Sequence, residues 1–201
     1  MTTERLFRVS FIAVFLTMFF VSGYFRRRAR QTGDVISRAS EGRPRLIARL
    51  LIAAPLYLSM VAYAANPTWM DWSSLPLPPW ARWLGVAFGL ATLPLLYWVM
   101  TSIGRNVSET YLTKQSHQLV TDGPYRWIRH PLYAVATLGL VSLSVVASNW
   151  FMLAMALTAF IGIAVFVVPR EEAELVKKFG NEYRAYQQRT GRFTPRVLRL
   201  E

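Results

Sequence analysis

The chain has 201 residues, 53% of them hydrophobic, with no cysteine and a formal net charge of +12. The length suits one domain, and the apolar content exceeds that of an ordinary soluble chain, so most of it belongs in lipid. The lack of cysteine excludes disulfides, thiolate nucleophiles and thiolate metal sites, and the basic charge, crowded beside apolar stretches, points to anionic head groups rather than nucleic acid.

A spanning helix takes about 20 apolar residues at about 1.5 Å rise each. Residues 6–25, 46–65, 80–100, 131–148 and 150–169 meet that pattern, which predicts an all-α integral membrane protein with five transmembrane helices. The first stretch is too long for a signal peptide and lacks a small-residue cleavage pattern after Tyr24 and Phe25, so it reads as a permanent helix. Arg26, Arg27, Arg28, Arg30, Arg38, Arg43 and Arg45 crowd the connection that follows, whereas the next one, 67–79, has no Lys or Arg. Arginine bias marks the cytoplasmic side, which predicts an external N-terminus and a cytoplasmic C-terminus. The membrane is then a bacterial or archaeal inner membrane, or the endoplasmic reticulum in a eukaryote. Arg5, Arg8 and Arg82 fall on the outer side against this trend and are expected to snorkel.

The second helix carries Pro55, and the connection after it holds Trp69 and Trp72, with Trp80 and Trp83 at its far end. The four indoles read as an interfacial belt. In the third helix Gly85 and Gly89, one turn apart, predict close approach of a neighbouring helix. The chain has no repeat, no useful strand alternation and no glycine-rich nucleotide loop, which argues against a soluble Rossmann-type enzyme. The polar, amphipathic stretch 101–129 is too long for a plain connector and is expected to be ordered and functional.

Pro131 suits the first turn of a helix, where its missing N–H is no loss, so the fourth span is predicted to start at His130-Pro131. Only Ser148-Asn149 separates this span from the fifth, which requires a tight antiparallel hairpin. Equal paths down and back return His130 and Glu171 to one membrane depth. Arg129, His130, Arg170, Glu171 and Glu172 therefore share a rim of the bilayer, where they can partner one another. A purely structural set of charged helix ends satisfies the same pattern.

From Gly123 to Tyr133 the chain reads Gly-Pro-Tyr-Arg-Trp-Ile-Arg-His-Pro-Leu-Tyr; the hairpin then leads to Glu171-Glu172. With His117-Gln118-Leu119-Val120 before it and Phe179-Gly180-Asn181-Glu182-Tyr183 after it, this constellation resembles the isoprenylcysteine carboxyl methyltransferase and phospholipid methyltransferase family of integral membrane enzymes. The resemblance runs from about residue 103 to 197. It divides a single domain, 1–201, into a three-helix membrane region, 1–100, and a cofactor-binding core, 101–201. It implies S-adenosyl-L-methionine as cofactor, with S-adenosyl-L-homocysteine as product. The implied cofactor residues are His117, Gln118, Leu119, Val120, Tyr125, His130, Pro131, Leu132, Tyr133 and Glu171.

Several of these residues have a structural alternative. His130 suits a helix start, His117 a solvated loop, and Tyr125 and Tyr133 interfacial anchors. Glu172 and Arg129 are the catalytic candidates, although Arg129 also suits a loop-organising pair with Glu171 or Glu172. Residues 173–188 read as an amphipathic helix with Leu175, Val176, Phe179, Tyr183 and Tyr186 on one side; it either roofs the pocket or anchors the C-terminus. Gly180 and Gly191 mark its break and its end.

One departure from the family concerns the acceptor. Val167 stands where prenylcysteine methyltransferases carry a substrate-holding arginine, and Arg170, the nearest basic residue, is about 300° further round the helix. Arg170 is therefore the candidate substrate contact. The expected partners are a lipophilic small molecule or lipidated substrate and anionic lipid. Carboxyl methylation of an isoprenylcysteine-type substrate leads, with phospholipid amine N-methylation as the alternative. A sterol-reductase-like enzyme using a reduced nicotinamide is disfavoured by Leu132 and Ala134-Val135, where such enzymes usually carry Asn and Gly-Glu. A non-catalytic scaffold is the remaining class.

Overall fold

The computed structural model describes residues 3–31, 43–104 and 119–196. In chain order these form α1 (Thr3–Arg30), α2 (Arg43–Ala65), a 3-10 turn (Pro67–Ser73), α3 (Pro79–Ile103), a second 3-10 turn (Gly123–Arg126), α4 (Pro131–Val146), α5 (Trp150–Gly162), a π-helical turn (Ile163–Val167), α6 (Val168–Phe179) and α7 (Asn181–Arg189). Among the described residues no strand forms beyond two isolated bridges, Ser74 with Asn149 and Ile128 with Gly191. The all-helical expectation holds.

Three helical runs, Thr3–Arg30, Pro79–Ile103 and Trp150–Phe179, are long and apolar enough to cross a membrane, and Leu50–Ala65 and Pro131–Val146 are shorter apolar helices. With 16 residues, α4 is about 24 Å long. Around the bundle, large apolar side chains face outward: Phe20 is 65% exposed and Leu58 67%. Such a surface suits a hydrocarbon solvent and not water.

The bundle core draws on every long helix. Phe7, Phe11 and Val14 of α1 meet Leu56, Met60 and Tyr63 of α2, Val86 of α3, Leu143 and Val146 of α4, and Met152 and Ala156 of α5. The close approach predicted for Gly85 is with α4: a Cβ there would lie 3.0 Å from Val145 Cγ1 and 3.1 Å from the Ser142 carbonyl oxygen. Gly89 faces Val14 of α1. A side chain at Gly85 would press on the α4 backbone, whereas a Cβ at Gly89 would make ordinary contact with Val14.

The α4–α5 hairpin is as tight as predicted. Ser148 adopts a left-handed φ of 52°, and Asn149 caps α5 by accepting from the Met152 N–H at 2.9 Å. The Asn149 amide also donates to Ser73 Oγ at 2.7 Å, tying the hairpin to the turn after α2. Trp69, Trp72, Trp80 and Trp83 all remain exposed at this end, 44–67%.

Two arginines at this end are not the snorkelling residues expected. Arg82 is buried; it donates to both Glu4 carboxylate oxygens, at 2.6 and 3.0 Å, and to the Val146 carbonyl at 3.0 Å. Its guanidinium also lies 3.9 Å from the Phe7 ring centre. Arg8 donates to the Ala64 and Ala65 carbonyls at 2.8 and 2.6 Å, filling the acceptors that the end of α2 leaves open. Pairing inside the fold thus replaces exposure to head groups.

A second difference lies at Pro169. Sequence reasoning ends the fifth span there and starts a separate tail helix at Ala173, whereas α5 runs through the π turn into α6 without a break. Proline cannot donate and crowds the carbonyl four residues back. The π turn immediately before it, in which the Val168 N–H reaches the Ile163 carbonyl, absorbs that conflict. The break comes at Gly180, as expected from the sequence, where φ is +55°.

Candidate functional site

The hairpin returns α6 to the start of α4, at the end of the bundle opposite Asn149. His130 precedes the first turn of α4, and Pro131 begins the helix. Glu171 and Glu172, adjacent on α6, approach His130 from two sides. His130 Nε2 lies 3.2 Å from Glu172 Oε1, and His130 Nδ1 lies 3.8 Å from Glu171 Oε2. The Tyr133 hydroxyl donates to the same Glu171 oxygen at 3.1 Å, and the Tyr133 and His130 rings lie nearly parallel, 20° apart. The juxtaposition expected from path lengths is present.

The two glutamates have different surroundings. Glu172 is buried and crowded by cations: Arg129 Nε donates to it at 3.0 Å and Arg192 Nη2 at 2.6 Å. Glu171 is half-buried and faces Tyr133 and His130. An ionised carboxyl only accepts hydrogen bonds, so Glu171 presents an acceptor edge beside the imidazole. Glu172, in contrast, is saturated with donors.

Arg129 pairs with Glu172, one of the two partners expected for it. Besides Glu172 it donates to the Gln187 carbonyl at 3.1 Å and to the Thr190 carbonyl, closing the C-terminal end of α7. The backbone adds a seam, in which the Arg129 N–H bonds the Gly191 carbonyl at 2.8 Å and the His130 N–H bonds the Arg192 carbonyl at 3.0 Å. A Cβ on Gly191 would collide with the Thr194 carbonyl oxygen, so the turn that carries this seam needs glycine.

Above the site, α7 lies on the Gly-Pro-Tyr turn. The Tyr186 hydroxyl donates to the Tyr125 carbonyl at 2.6 Å, and Leu119 packs with Leu175, Tyr183 and Tyr186. Burial, then the charge of Glu171 and neighbouring Tyr186, pushes the Tyr125 hydroxyl well above the usual tyrosine range. Burial likewise carries Tyr186 up to about 12, against the pull of Arg129 and Arg189. Both phenols stay protonated at neutral pH.

Of the sequence-derived candidates, His130, Tyr133 and Glu171 converge, with Tyr125 close by and buried. Leu132 turns away, packing against Phe25, Ala29, Leu96 and Met100. Pro131 is buried at the helix start, and Val120 is half-buried. His117 and Gln118 lie outside the described residues. Arg170 is exposed and donates to the Phe166 carbonyl of its own helix at 3.2 Å. Sequence reasoning missed Arg192 and Phe193, whose ring lies 4.9 Å from that of Phe160 and 6.1 Å from that of His130. No local signal marks either residue; only the reversal at Gly180 brings them in.

Residues 84–177 match the model of the isoprenylcysteine carboxyl methyltransferase (ICMT) family. The nickel-cobalt-cadmium resistance protein NccN of Alcaligenes xylosoxydans xylosoxydans is 33% identical over 116 residues, which cover 57% of this chain and 53% of that protein. The cobalt-zinc-cadmium resistance protein CzcN of Cupriavidus metallidurans is 32% identical over 120 residues, 58% of this chain and 55% of that one. The chain thus spans about half the length of the curated relatives it matches. The solved structure of the eukaryotic intramembrane Ras methyltransferase ICMT superposes with a TM-score of 0.61 over 96% of this chain and 68% of that one, at 19% identity.

Fold and site together define an all-helical integral membrane protein whose polar centre sits at the open end of a helical hairpin. Over residues 84–177 the chain is similar to the isoprenylcysteine carboxyl methyltransferase family.

Proposed function

We propose that this chain is an S-adenosylmethionine-dependent methyltransferase of a lipophilic acceptor at the cytoplasmic face of a membrane. Carboxyl methylation of an isoprenylcysteine-type substrate is the leading reaction. The observation that carries the reading is the edge formed by His130 Nδ1 and Glu171 Oε2, 3.8 Å apart, with the Tyr133 hydroxyl on the same carboxyl. A ligand bearing an ammonium, hydroxyls and an aromatic base needs acceptors beside ring faces, and these residues fit that donor and acceptor set. In this reading Glu171 accepts from the ammonium or the ribose, Tyr125, His130 and Tyr133 supply ring surface and polar tips, and Leu119, Val120 and Pro131 shape the walls. His117 and Gln118 complete the set as proposed contacts.

When bound, S-adenosylmethionine supplies a methyl group on a sulfonium cation. The protein's share of the work is to align the acceptor with that group and to exclude water, which suffices for an in-line displacement by an ionised carboxylate. Glu172 and Arg129, bonded to each other, serve to hold His130 in place. An amine acceptor needs a base to take its proton.

N-methylation of a phospholipid amine is the second reading, and a specific arrangement favours it. Val167 occupies the position of the family's carboxylate-holding arginine, Arg170 turns back to its own helix, and Arg129 and Arg192 are both committed to Glu172.

Titrating detergent-purified protein with S-adenosylhomocysteine and, separately, with a reduced nicotinamide cofactor tests the reading. Heat is expected with the first alone; heat with the second alone points to a reductase, and silence with both to a scaffold.

The proposed topology has five crossings, residues 1–100 as the membrane region and 101–201 as the cofactor-binding core. The arginine-rich end of α1 and the site face the cytoplasm, where anionic lipid is the proposed neighbour. A reporter fused to the C-terminus is expected to be cytoplasmic and one at the N-terminus external; the reverse result overturns the orientation.

A further inference from the structure

Arg192 contacts His130 both through its backbone and through a carboxylate. Its carbonyl accepts the His130 N–H at 3.0 Å, and its guanidinium donates to Glu172, from Nη2 to Oε2 at 2.6 Å and from Nε to Oε1 at 3.4 Å. Arg129 Nε takes Oε1 at 3.0 Å, and His130 Nε2 lies 3.2 Å from that same oxygen. Among the described residues, Arg192 supplies the donor that holds Oε2. Without it the carboxylate is tethered at one oxygen and is freer to rotate away from the imidazole.

We propose that Arg192 is a positioning residue that, through Glu172, fixes His130 as the Nε2–H tautomer and so presents Nδ1 as an acceptor toward Glu171. The logic is that of a carboxylate orienting an imidazole: an ionised Glu172 has no proton to give, so the nitrogen facing it must donate, and a neutral ring then accepts at the other nitrogen. Nδ1 is the nitrogen that faces Glu171 Oε2. The proposal rests on the methyltransferase reading for its ligand, because two acceptors side by side suit an N–H or O–H donor such as the ammonium or ribose of S-adenosylmethionine.

A paired arginine that is 43% exposed at its side chain usually contributes little to stability. Arg192 should therefore be replaceable without unfolding the protein, which makes its effect on His130 readable. The chain has two histidines, so nitrogen-15 histidine labelling resolves His130 once a His130→Asn spectrum has assigned it.

In ligand-free, detergent-purified protein at a pH where free imidazole is neutral, the expected wild-type spectrum shows the proton on Nε2. Arg192→Gln is expected to mix the two tautomers. Arg192→Lys, which restores a cationic donor, is expected to return the wild-type pattern, and Arg196→Gln, on the exposed surface, to leave it unchanged. Because apparent affinity scales with the population of the competent state, S-adenosylhomocysteine should bind Arg192→Gln about two- to threefold more weakly.

A proton on Nδ1 in the wild type, or an unchanged His130 spectrum in Arg192→Gln, overturns the proposal. The tautomer is read without ligand, so its outcome is separate from that of the cofactor titration: normal binding with an unmoved tautomer removes the clamp and spares the methyltransferase.

Discussion

Glu171→Gln is expected to lower the affinity for S-adenosylhomocysteine by about 10- to 100-fold, matching the roughly 1.5–3 kcal/mol carried by a hydrogen bond to a charged group. The substitution keeps the shape of the side chain and leaves an amide oxygen for the Tyr133 hydroxyl, which now lies 3.1 Å away. What it removes is the charge beside His130 Nδ1, and it puts a donor where the ligand requires an acceptor. Calorimetric titration in detergent measures the loss directly. The appropriate control is Glu174→Gln, which breaks an exposed 2.6 Å pair with Lys177 on another face of α6 and should leave binding at its wild-type value. Equal affinities for wild type and Glu171→Gln would remove Glu171 from the binding site.

Glu172→Ala is expected to have the largest effect on stability, a loss of about 3–5 kcal/mol, because it strands a buried cation. The Arg129 side chain is only 11% exposed and depends on Glu172 for its charge partner, while its remaining bonds reach the end of α7. Removing the carboxylate therefore loosens α6, the loop before α4 and the Gly191 turn together. The expected readout is a marked fall in melting temperature, with early proteolytic cleavage after α7. Arg192→Gln, acting on the exposed side of the same carboxylate, should cost far less. A Glu172→Ala protein that melts with the wild type would show that the cluster carries no stability.

The convergence of His130 with Glu171 and Glu172 was legible because it depends on helix rise and hairpin length. Pro131 marks where one helix starts, Ser148-Asn149 leaves room only for a tight reversal, and the rise per residue is constant. The π turn adds a local distortion without moving the glutamates out of reach. Gly85 was legible on similar grounds, since a missing side chain within an apolar helix points to close contact before the partner is known. The all-helical architecture followed from stretches of lipid-spanning length.

Pairings across the bundle were not legible. Arg82 and Glu4 are 78 positions apart, and Arg8 reaches carbonyls at the far end of α2; hydropathy reports that these charges are misplaced for a loop, not which partner takes them up. Arg129, with Glu171 and Glu172 as candidate partners, chose Glu172 because α6 turns that residue inward. Pro169 misled because a proline predicts a helix end only if no neighbouring turn can widen to accommodate it.

Composition, the period of the apolar stretches and the spacing of Gly123 to Tyr133 from Glu171 specify a membrane-embedded helical hairpin with polar residues at its open end. These are properties of segments, governed by helix rise and the cost of burying polar backbone in lipid. The closing of the site by Arg192, the saturation of Glu172 and the exposure of Glu171 to His130 and Tyr133 are properties of assembly. They arise where the chain turns at Gly180 and Gly191 to lay its last described residues against its middle, a direction that local periodicity does not encode.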